Sequence, residues 1–143
     1  MATEIETKFK LYSVAKLKNK LKEIGAKFVS KHLERDIYYN NARSERCLES
    51  IRLRTIGKGG IFTIKEYLNS KEPNIYKVRN ELEVAIDNAE VFNDMLSRFD
   101  FKFSFRKEKI RETYVCKGAK ICIDKLPYLG YYIEIESSKR KIK

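Results

Sequence analysis

The sequence predicts an α+β protein built as a closed antiparallel β-barrel of about eight strands, with helices packed on the outside. Three observations lead to this prediction. Most of the 143 residues alternate polar and apolar side chains with the period of a β-strand. Two segments instead have helical spacing, and many polar strand positions are charged, in a chain that is 36% charged overall. A chain of this length fits one domain, predicted over residues 1–143.

The first predicted strand is TEIETKFK at 3–10, in which charged residues occupy every second position from residue 4. Six more segments alternate in the same way: IRLRT (51–55), IFTIKEY (61–67), YKVRNELEVAI (76–86), SFRKEKIRETYV (104–115), KICIDKL (120–126) and YYIEIES (131–137). IGKGG at 56–60 is predicted to be a hairpin turn, because it lacks the GK[ST] ending and the following helix of a P-loop. NNARSERC at 40–47 and LNSKEPN at 68–74 are predicted to be polar connections.

Two segments have the apolar spacing of amphipathic helices. In SVAKLKNKLKEIG, Ser13 is the predicted N-cap and Gly25 the predicted stop. In DNAEVFNDMLSRF, Asp87 and Glu90 resemble a capping box. The predicted core-facing stripes are Val14, Leu17, Leu21 and Ile24 in the first helix, and Val91, Met95, Leu96 and Phe99 in the second.

An internal repeat relates the two halves of the chain. Glu4-Ile5-Glu6 and Glu81-Leu82-Glu83 each precede a helix, and KFVS (27–30) and KFSF (102–105) each follow one. These motifs recur 75 to 77 residues apart. The repeat predicts two β-α-β halves that together close the barrel.

Strand parity puts the charges of these segments on a single face of the sheet. The positions that share this face are Glu4, Glu6, Lys8, Arg52, Arg54, Thr63, Lys65, Arg79, Glu81, Glu83, Lys107, Lys109, Arg111, Asp124, Glu134 and Glu136. The opposite face is apolar and is predicted to form the core together with the helices; it carries Ile5, Phe9, Ile51, Leu53, Phe62, Ile64, Val78, Leu82, Val84, Ile110, Ile121, Ile123, Ile133 and Ile135. A closed sheet then predicts a water-filled, charged tunnel, because dry buried ions cost several kcal/mol each even when paired. An open sheet with its charged face in solvent is the alternative.

The mixed charges of this face favour a phosphate chain that carries a divalent cation. Arg and Lys side chains bind phosphate oxygens, whereas the carboxylates would repel a bare anion and hold a cation instead. Because the set offers oxygen ligands and no His or Cys, the predicted metal is Mg²⁺ or Mn²⁺. The net charge of +11 also suggests an anionic partner. Nucleic acid is the weaker candidate, since no RRM, zinc-finger or basic-zipper pattern occurs.

The cysteines and the hydropathy predict the compartment. The chain has three cysteines without a CxxC pair and shows no signal peptide, which predicts a reducing, cytoplasmic setting. No apolar run approaches the roughly 20 residues needed to span a bilayer, so no membrane is expected as a partner. The lone His32 cannot by itself form a zinc site or a Ser-His-Asp triad.

The order of these motifs resembles the CYTH superfamily, also called triphosphate tunnel metalloenzymes. EIETK at 4–8 matches the ExExK signature, and the similarity continues through IRLR, FTIK, RNELEV, KIRETY, ICID and LPYLGYYIEIE at 126–136. The class IV adenylate cyclase branch is the most similar, because Asp124, the Leu129-Gly130 turn and the pair of Glu134 and Glu136 match its pattern. Seven residues follow Glu136, fewer than in many members of the family.

The resemblance implies roles for individual residues. It implies metal ligands at Glu4, Glu6, Glu83, Asp124, Glu134 and Glu136, with Glu81 as a weaker candidate. It implies triphosphate binding by Lys8, Arg52, Arg54, Lys65, Arg79, Lys109 and Arg111. Catalytic roles are expected for Glu4, Glu6, Lys65, Asp124, Glu134 and Glu136.

The same resemblance implies two possible activities, and a third function stands as the rival from another class. The first is an adenylate cyclase, in which the ribose 3′-hydroxyl of ATP attacks the α-phosphorus and pyrophosphate leaves. The second is hydrolysis of tripolyphosphate, thiamine triphosphate or a nucleoside triphosphate by water. The third is a non-catalytic module that binds inorganic polyphosphate. The resemblance also allows a homodimer.

Overall fold

Eight strands close into one antiparallel barrel in the computed structural model, which describes residues 2–45, 49–68 and 77–138. The elements in chain order are β1 (Ala2–Leu11), α1 (Val14–Glu23), β2 (Lys27–Asn40), α2 (Ala42–Glu45), β3 (Glu49–Ile56), β4 (Gly59–Tyr67), β5 (Lys77–Ile86), α3 (Ala89–Ser97), β6 (Lys102–Cys116), β7 (Ala119–Leu126) and β8 (Gly130–Ser138). The predicted fold class is confirmed. Cys47 and nearly all of the predicted connection at 68–74 lie outside the described residues.

The strand order confirms the two repeated halves. Around the barrel the strands run β1-β5-β4-β3-β2-β6-β7-β8. One half contributes β1, α1, β2, β3 and β4, and the other contributes β5, α3, β6, β7 and β8. The equivalent strands β1 and β5 are neighbours, and so are β2 and β6, so the halves join along two seams related by an approximate two-fold axis.

Each helix covers strands of the opposite half. Leu21 of α1 packs with Ile121 and Ile123 of β7, which belongs to the second half. Leu96 of α3 packs with a cluster that includes Leu53 of β3, in the first half. Because each hydrophobic cluster needs residues from both halves, neither half can complete its own core.

The predicted cap of α1 is confirmed, but Ile24 of its predicted core-facing stripe is 47% exposed, and α3 departs further from its prediction. Ser13 caps α1, because its side-chain oxygen accepts a hydrogen bond from the amide of Lys16. The cap of α3 is Asn88 and not Asp87: the Asn88 side chain accepts from the Val91 amide at 3.1 Å. The predicted capping box at Asp87 was therefore wrong.

The predicted stripe of α3 was also largely wrong. Only Leu96 of the four predicted residues is buried, whereas Val91, Met95 and Phe99 are about half exposed or more. The face that packs on the barrel instead carries Ala89, Phe92 and Leu96. Both sets have helical spacing, so periodicity alone could not choose between them.

The apolar outer face of the barrel is only partly covered. Ile51, Leu53, Ile121 and Ile123 are buried as predicted. Five others on the predicted core face remain 36 to 53% exposed: Phe9, Leu82, Val84, Ile110 and Ile135. Two helices of 10 and 9 residues are too small to cover the outside of eight strands.

The predicted hairpin at IGKGG is confirmed, with Ile56 paired to Gly59. Gly57 has a φ of +59°, which glycine adopts without the steric cost of a side chain. Gly60 sits against the backbone oxygen of Arg54, where an added Cβ would lie 2.4 Å away. The other predicted polar connection, at 40–47, contains the short helix α2.

Truncating the buried side of α3 should destabilise the protein far more than truncating its exposed side. Leu96→Ala should lower the free energy of unfolding by about 2–5 kcal/mol, because it removes a side chain that is only 5% exposed. Val91→Ala on the same helix, 51% exposed, is the matched control and should cost less than about 1 kcal/mol. Urea unfolding of both variants measures the difference, and equal losses would contradict the assigned helix face.

Candidate active site

Charged side chains line a cavity of about 440 Å³ inside the barrel. The predicted site residues that border it are Glu4, Glu6, Lys8, Arg52, Arg54, Lys65, Arg79, Glu83, Arg111, Glu134 and Glu136. Two others, Lys109 and Asp124, are buried beside Arg111 and do not border the cavity. The structure thus brings nearly the whole predicted set into one enclosure.

Three carboxylates form the best candidate for a cation site. Glu4, Glu6 and Glu136 each offer an oxygen, and these oxygens lie within 4.8 Å of one another. The strand register explains the grouping, because Glu6 of β1 lies directly opposite Glu136 of β8 and Glu4 lies two residues along the same face. An all-carboxylate set of this kind fits Mg²⁺ or Mn²⁺ better than Zn²⁺, which favours nitrogen and sulfur ligands.

Two cationic side chains pair with this carboxylate group. Arg79 lies 2.9 Å from Glu4 and 2.6 Å from Glu6. Lys65 donates to both carboxylate oxygens of Glu4, at 3.0 and 3.2 Å, and lies 3.7 Å from Glu81. These pairs partly neutralise carboxylates that the barrel has taken out of water.

The carboxylates are too crowded for all of them to ionise at neutral pH. Burial and the neighbouring Glu134 carboxylate raise the pKa of Glu6 to about 7, despite the Arg79 guanidinium beside it. Burial and a hydrogen bond to Glu4 raise the pKa of Glu81 to about 8. Burial opposes ionisation of Glu4 as well, but its hydrogen bond with Glu81 and the Lys65 ammonium outweigh it and hold the pKa of Glu4 below its ordinary value.

A second group of charges consists of two bidentate Arg–Asp pairs. Arg111 donates from Nε and Nη2 to the two oxygens of Asp124, both at 2.7 Å, and also reaches Glu134 at 3.2 Å. Arg54 donates in the same way to Asp36, at 2.9 and 3.0 Å. Such pairs fix the plane of each guanidinium while leaving other N–H donors free to bind an anion.

These two pairs occupy equivalent places in the two halves with the charges exchanged. In the first half the aspartate stands on β2 and the arginine on β3. In the second half the arginine stands on β6 and the aspartate on β7. Both halves therefore have an Arg–Asp pair at this place in the barrel, but the strand that carries the aspartate in one half carries the arginine in the other.

Sequence reasoning missed the acidic residues of β2. Glu34 and Asp36 are 4% and 2% exposed and hold Arg54, with Glu34 at 2.9 Å from it. The signal was the alternation of polar and apolar residues in HLERDIY, at 32–38. Arg35 obscured it, because this outward-facing residue is charged too and pairs with Glu108 at 3.3 Å.

Three predicted metal ligands are not members of the three-carboxylate group. Asp124 is fully buried and engaged by Arg111 and by Lys109, whose ammonium is 3.6 Å away. Glu83 borders the cavity as an exposed residue. Glu134 joins the basic side, with Lys8 at 3.5 Å and Arg111 at 3.2 Å, and its pKa is lowered to about 2 because these cations and Lys109 outweigh its burial. Metal roles for these three residues stay predictions.

The basic side is anchored by buried cations. Lys109 is 6% exposed, and burial together with the neighbouring Arg111 lowers its pKa to about 8. Arg111 keeps its charge, because its two bonds to Asp124 and the nearby Glu134 raise its pKa against the effect of burial. The site can therefore present fixed positive charge beside a carboxylate group that accepts cations or protons.

The comparisons with known proteins agree with this architecture. The CYTH domain family profile matches residues 2–142. A relative from Methanocaldococcus jannaschii, the candidate adenylate cyclase MJ0240, is 32% identical over 135 residues, which span 94% of this chain and 77% of the relative.

Solved structures show the same fold. The PH1012 protein from Pyrococcus horikoshii OT3 has a TM-score of 0.79 at 24% identity, covering 94% of this chain and 77% of its own. PH1819 from the same organism has a TM-score of 0.73 at 29% identity, with coverage of 94% and 77%. HpAC1 from Hippeastrum, a candidate adenylyl cyclase, has a TM-score of 0.67 at 16% identity, with coverage of 95% and 79%.

Within the part of the chain that the structure describes, no helix has the length and apolar character needed to cross a membrane.

Raising the pH should destabilise the metal-free protein between about pH 5 and pH 7. The folded protein keeps a proton on Glu6 up to about pH 7, whereas the unfolded chain releases it near its ordinary pKa of 4.5. The folded state binds more protons in this window, so the free energy of unfolding falls as the pH rises, by up to ~3 kcal/mol. Urea unfolding in EDTA across this range measures the slope.

Glu6→Gln should reduce this pH dependence, because an amide does not titrate in the window; the raised pKa of Glu81 leaves a remaining slope of the same sign. Glu108→Gln, on the outside of the barrel, should keep the slope of the parent protein. A stability that rises with pH, or a slope that Glu6→Gln leaves unchanged, would show that Glu6 does not hold the proton.

Divalent cations should stabilise the protein through the three-carboxylate group. Mg²⁺ or Mn²⁺ at a hundred times its dissociation constant should add ~2.7 kcal/mol to the free energy of unfolding, seen as a rise in Tm. Glu136→Gln removes one member of the group and should greatly weaken this response, whereas Glu108→Gln should preserve it. If the cation raises the Tm of Glu136→Gln as much as that of the parent protein, the cation binds elsewhere.

Proposed function

The chain belongs to the CYTH domain family, and we propose that it is an enzyme that acts on organic triphosphates with Mg²⁺ or Mn²⁺ as its cofactor. One observation carries the proposal. A group of three carboxylates and a set of fixed guanidinium and ammonium groups border the same cavity. A cation and a polyanion can therefore be bound side by side.

The balance of charge explains why the ligand must bring or share a cation. A bare triphosphate would be attracted by Arg54 and Arg111 but repelled by Glu4, Glu6 and Glu136. A cation on the carboxylates removes the repulsion and leaves the basic groups to bind phosphate oxygens. The lining thus fits a metal–triphosphate complex better than either component alone.

Several residues of the chain have clear tasks in this scheme. Glu4, Glu6 and Glu136 would hold the cation, which neutralises charge on the phosphates and favours deprotonation of the attacking oxygen. Arg79 and Lys65 now pair with Glu4, and neutralisation of that carboxylate frees their donors for phosphate oxygens.

The Arg–Asp pairs supply preorganised positive charge. Asp36 and Asp124 hold the guanidinium groups of Arg54 and Arg111 in place before a ligand arrives. Charge that develops on the departing phosphates therefore meets donors that need no reorientation.

The most specific form of the proposal is adenylate cyclisation. The ribose 3′-hydroxyl of ATP attacks the α-phosphorus, its proton leaves, and the bond to the β-phosphate breaks to release pyrophosphate. The relative from Methanocaldococcus jannaschii, named as a candidate cyclase at 32% identity, favours this form.

Hydrolysis is the second candidate. In this form water attacks the terminal phosphorus and the bond to the β-phosphate breaks, so that the organic diphosphate leaves and the attacked group is released as inorganic phosphate. The Hippeastrum protein is described as having a dominant triphosphatase activity, so this fold in that protein supports hydrolysis. The two reactions differ in which phosphorus faces the attacking oxygen, and the same charged groups could serve both.

Incubation with ATP and Mn²⁺, with products identified by chromatography, tests the proposal and separates its two forms. Cyclic AMP with pyrophosphate identifies a cyclase, and ADP with phosphate identifies a hydrolase. Arg111→Ala should reduce kcat/KM at least about a hundredfold, because it removes a preorganised donor to the phosphates. Arg106→Ala, whose guanidinium lies near the ring of Phe103, is the matched control and should keep full activity.

The contrary result is a protein that binds tripolyphosphate tightly and turns over neither ATP, tripolyphosphate nor thiamine triphosphate with either cation. That result would refute the proposal that it is an enzyme. It would leave a polyphosphate-binding module.

A further inference from the structure

Two aromatic rings stack inside the charged barrel. Tyr38 of β2 and Phe105 of β6 are cross-strand partners, with ring centroids 4.5 Å apart and planes inclined by only 11°. Both side chains border the cavity. Most of the other lining residues are charged or polar. Tyr39, Tyr67 and Ile51 also border the cavity, but the stacked rings are those of Tyr38 and Phe105.

The pair is open to the cavity and is not part of a closed core. Phe105 is 50% exposed, whereas Lys109 and Arg111, farther along the same strand, are 6% and 4% exposed. Neither ring belongs to the two hydrophobic clusters beneath the helices. Tyr38 covers one face of the Phe105 ring. A flat ligand that stacked on the remaining apolar surface would remove that surface from water, which is favourable.

Cationic groups surround the rings on the cavity side. Arg52 is the cross-strand neighbour of Tyr38 on β3, and it also borders the cavity. Its Nε is buried and finds no hydrogen-bond partner among the described residues. Lys107, two residues from Phe105, lines the cavity too. A buried donor of this kind is costly unless a ligand satisfies it, so an acceptor such as a phosphate oxygen belongs next to the rings.

Small polar groups complete this end of the cavity. Asn40 and Ser104 lie within two residues of the rings in sequence, and both border the cavity. Their amide and hydroxyl groups can donate to and accept from the polar edge of a heterocycle. The chain therefore offers an apolar face, hydrogen-bonding edges and an anion site in adjacent positions.

We propose that Phe105, supported by Tyr38, binds the aromatic organic group of the triphosphate, with Arg52 on the adjoining phosphates. This inference rests on the proposed function and narrows its substrate class. The substrate is a nucleoside triphosphate, or another triphosphate bearing a flat ring, and not inorganic tripolyphosphate. Phe105 is a specificity residue in this assignment, because it touches the ring and not the phosphates.

Binding of two ligands to three proteins tests the assignment. Calorimetry with Mn²⁺ compares α,β-methylene-ATP with inorganic tripolyphosphate in the parent protein, Phe105→Ala and Phe103→Ala. Phe105→Ala should weaken the nucleotide about tenfold or more and leave tripolyphosphate unchanged, since stacking acts on the base alone. Phe103 lies on the same strand, does not border the cavity and contacts Arg106, so its variant should bind both ligands like the parent.

A second variant gives a direct signal from the ring position. The chain contains no tryptophan, so Phe105→Trp introduces a single one. Its fluorescence should be quenched by the nucleotide as the base stacks on it, and tripolyphosphate should change it far less. Equal responses to both ligands, or none to the nucleotide while it binds, would overturn the assignment.

The outcomes separate this inference from the proposed function. If the parent protein binds neither ligand with Mn²⁺, the proposed function itself fails. If the parent binds both and Phe105→Ala weakens both equally or neither, the ring site is wrong while a triphosphate enzyme remains. Selective loss of the nucleotide supports both.

Discussion

The structure depends on how charges are kept inside a closed barrel. Closure buries ten charged side chains among the described residues, and each would cost several kcal/mol if left alone. The chain meets this cost by pairing: Arg111 with Asp124, Arg54 with Asp36, and Lys65 and Arg79 with Glu4. Where carboxylates outnumber cations, raised pKa values on Glu6 and Glu81 show protons taking the place of the missing charge.

This pairing is uneven, and the binding site proposed for the cavity depends on that unevenness. The Arg–Asp pairs are bidentate, so they act as fixed supports. The group of Glu4, Glu6 and Glu136 is instead held by the raised pKa of Glu6 and by ion pairs with Lys65 and Arg79. A dication is the better neutraliser of three carboxylates, and its arrival changes which donors are free.

The repeated halves explain how the lining of one barrel comes to have an acidic side and a basic side. The strand order is symmetric, and each helix covers the other half, so the architecture needs both copies. The lumen is not symmetric: the equivalent Arg–Asp pairs have exchanged partners, and the three clustered carboxylates come from β1 and β8 only. A symmetric frame therefore carries an acidic side and a basic side, as the proposed metal–triphosphate ligand would require.

The sequence by itself determined which face of each strand is charged, because side chains alternate with a period of two whatever the tertiary structure. Glu4, Glu6, Lys65, Arg111 and Glu134 could be placed in the lumen on that ground, and the resemblance of the motif order pointed to the family. Glu34 and Asp36 escaped, since a charged Arg35 on the outside blurred the alternation.

Only the tertiary structure decided which lumen residues meet. Cross-strand neighbours depend on register, which is set by pairings between residues far apart in the chain. That is why Glu136 joins Glu4 and Glu6 while Asp124 is engaged by Arg111. The packing face of α3 and the extent of the uncovered outer face were likewise set by where the helices lie on the barrel, which local periodicity does not encode.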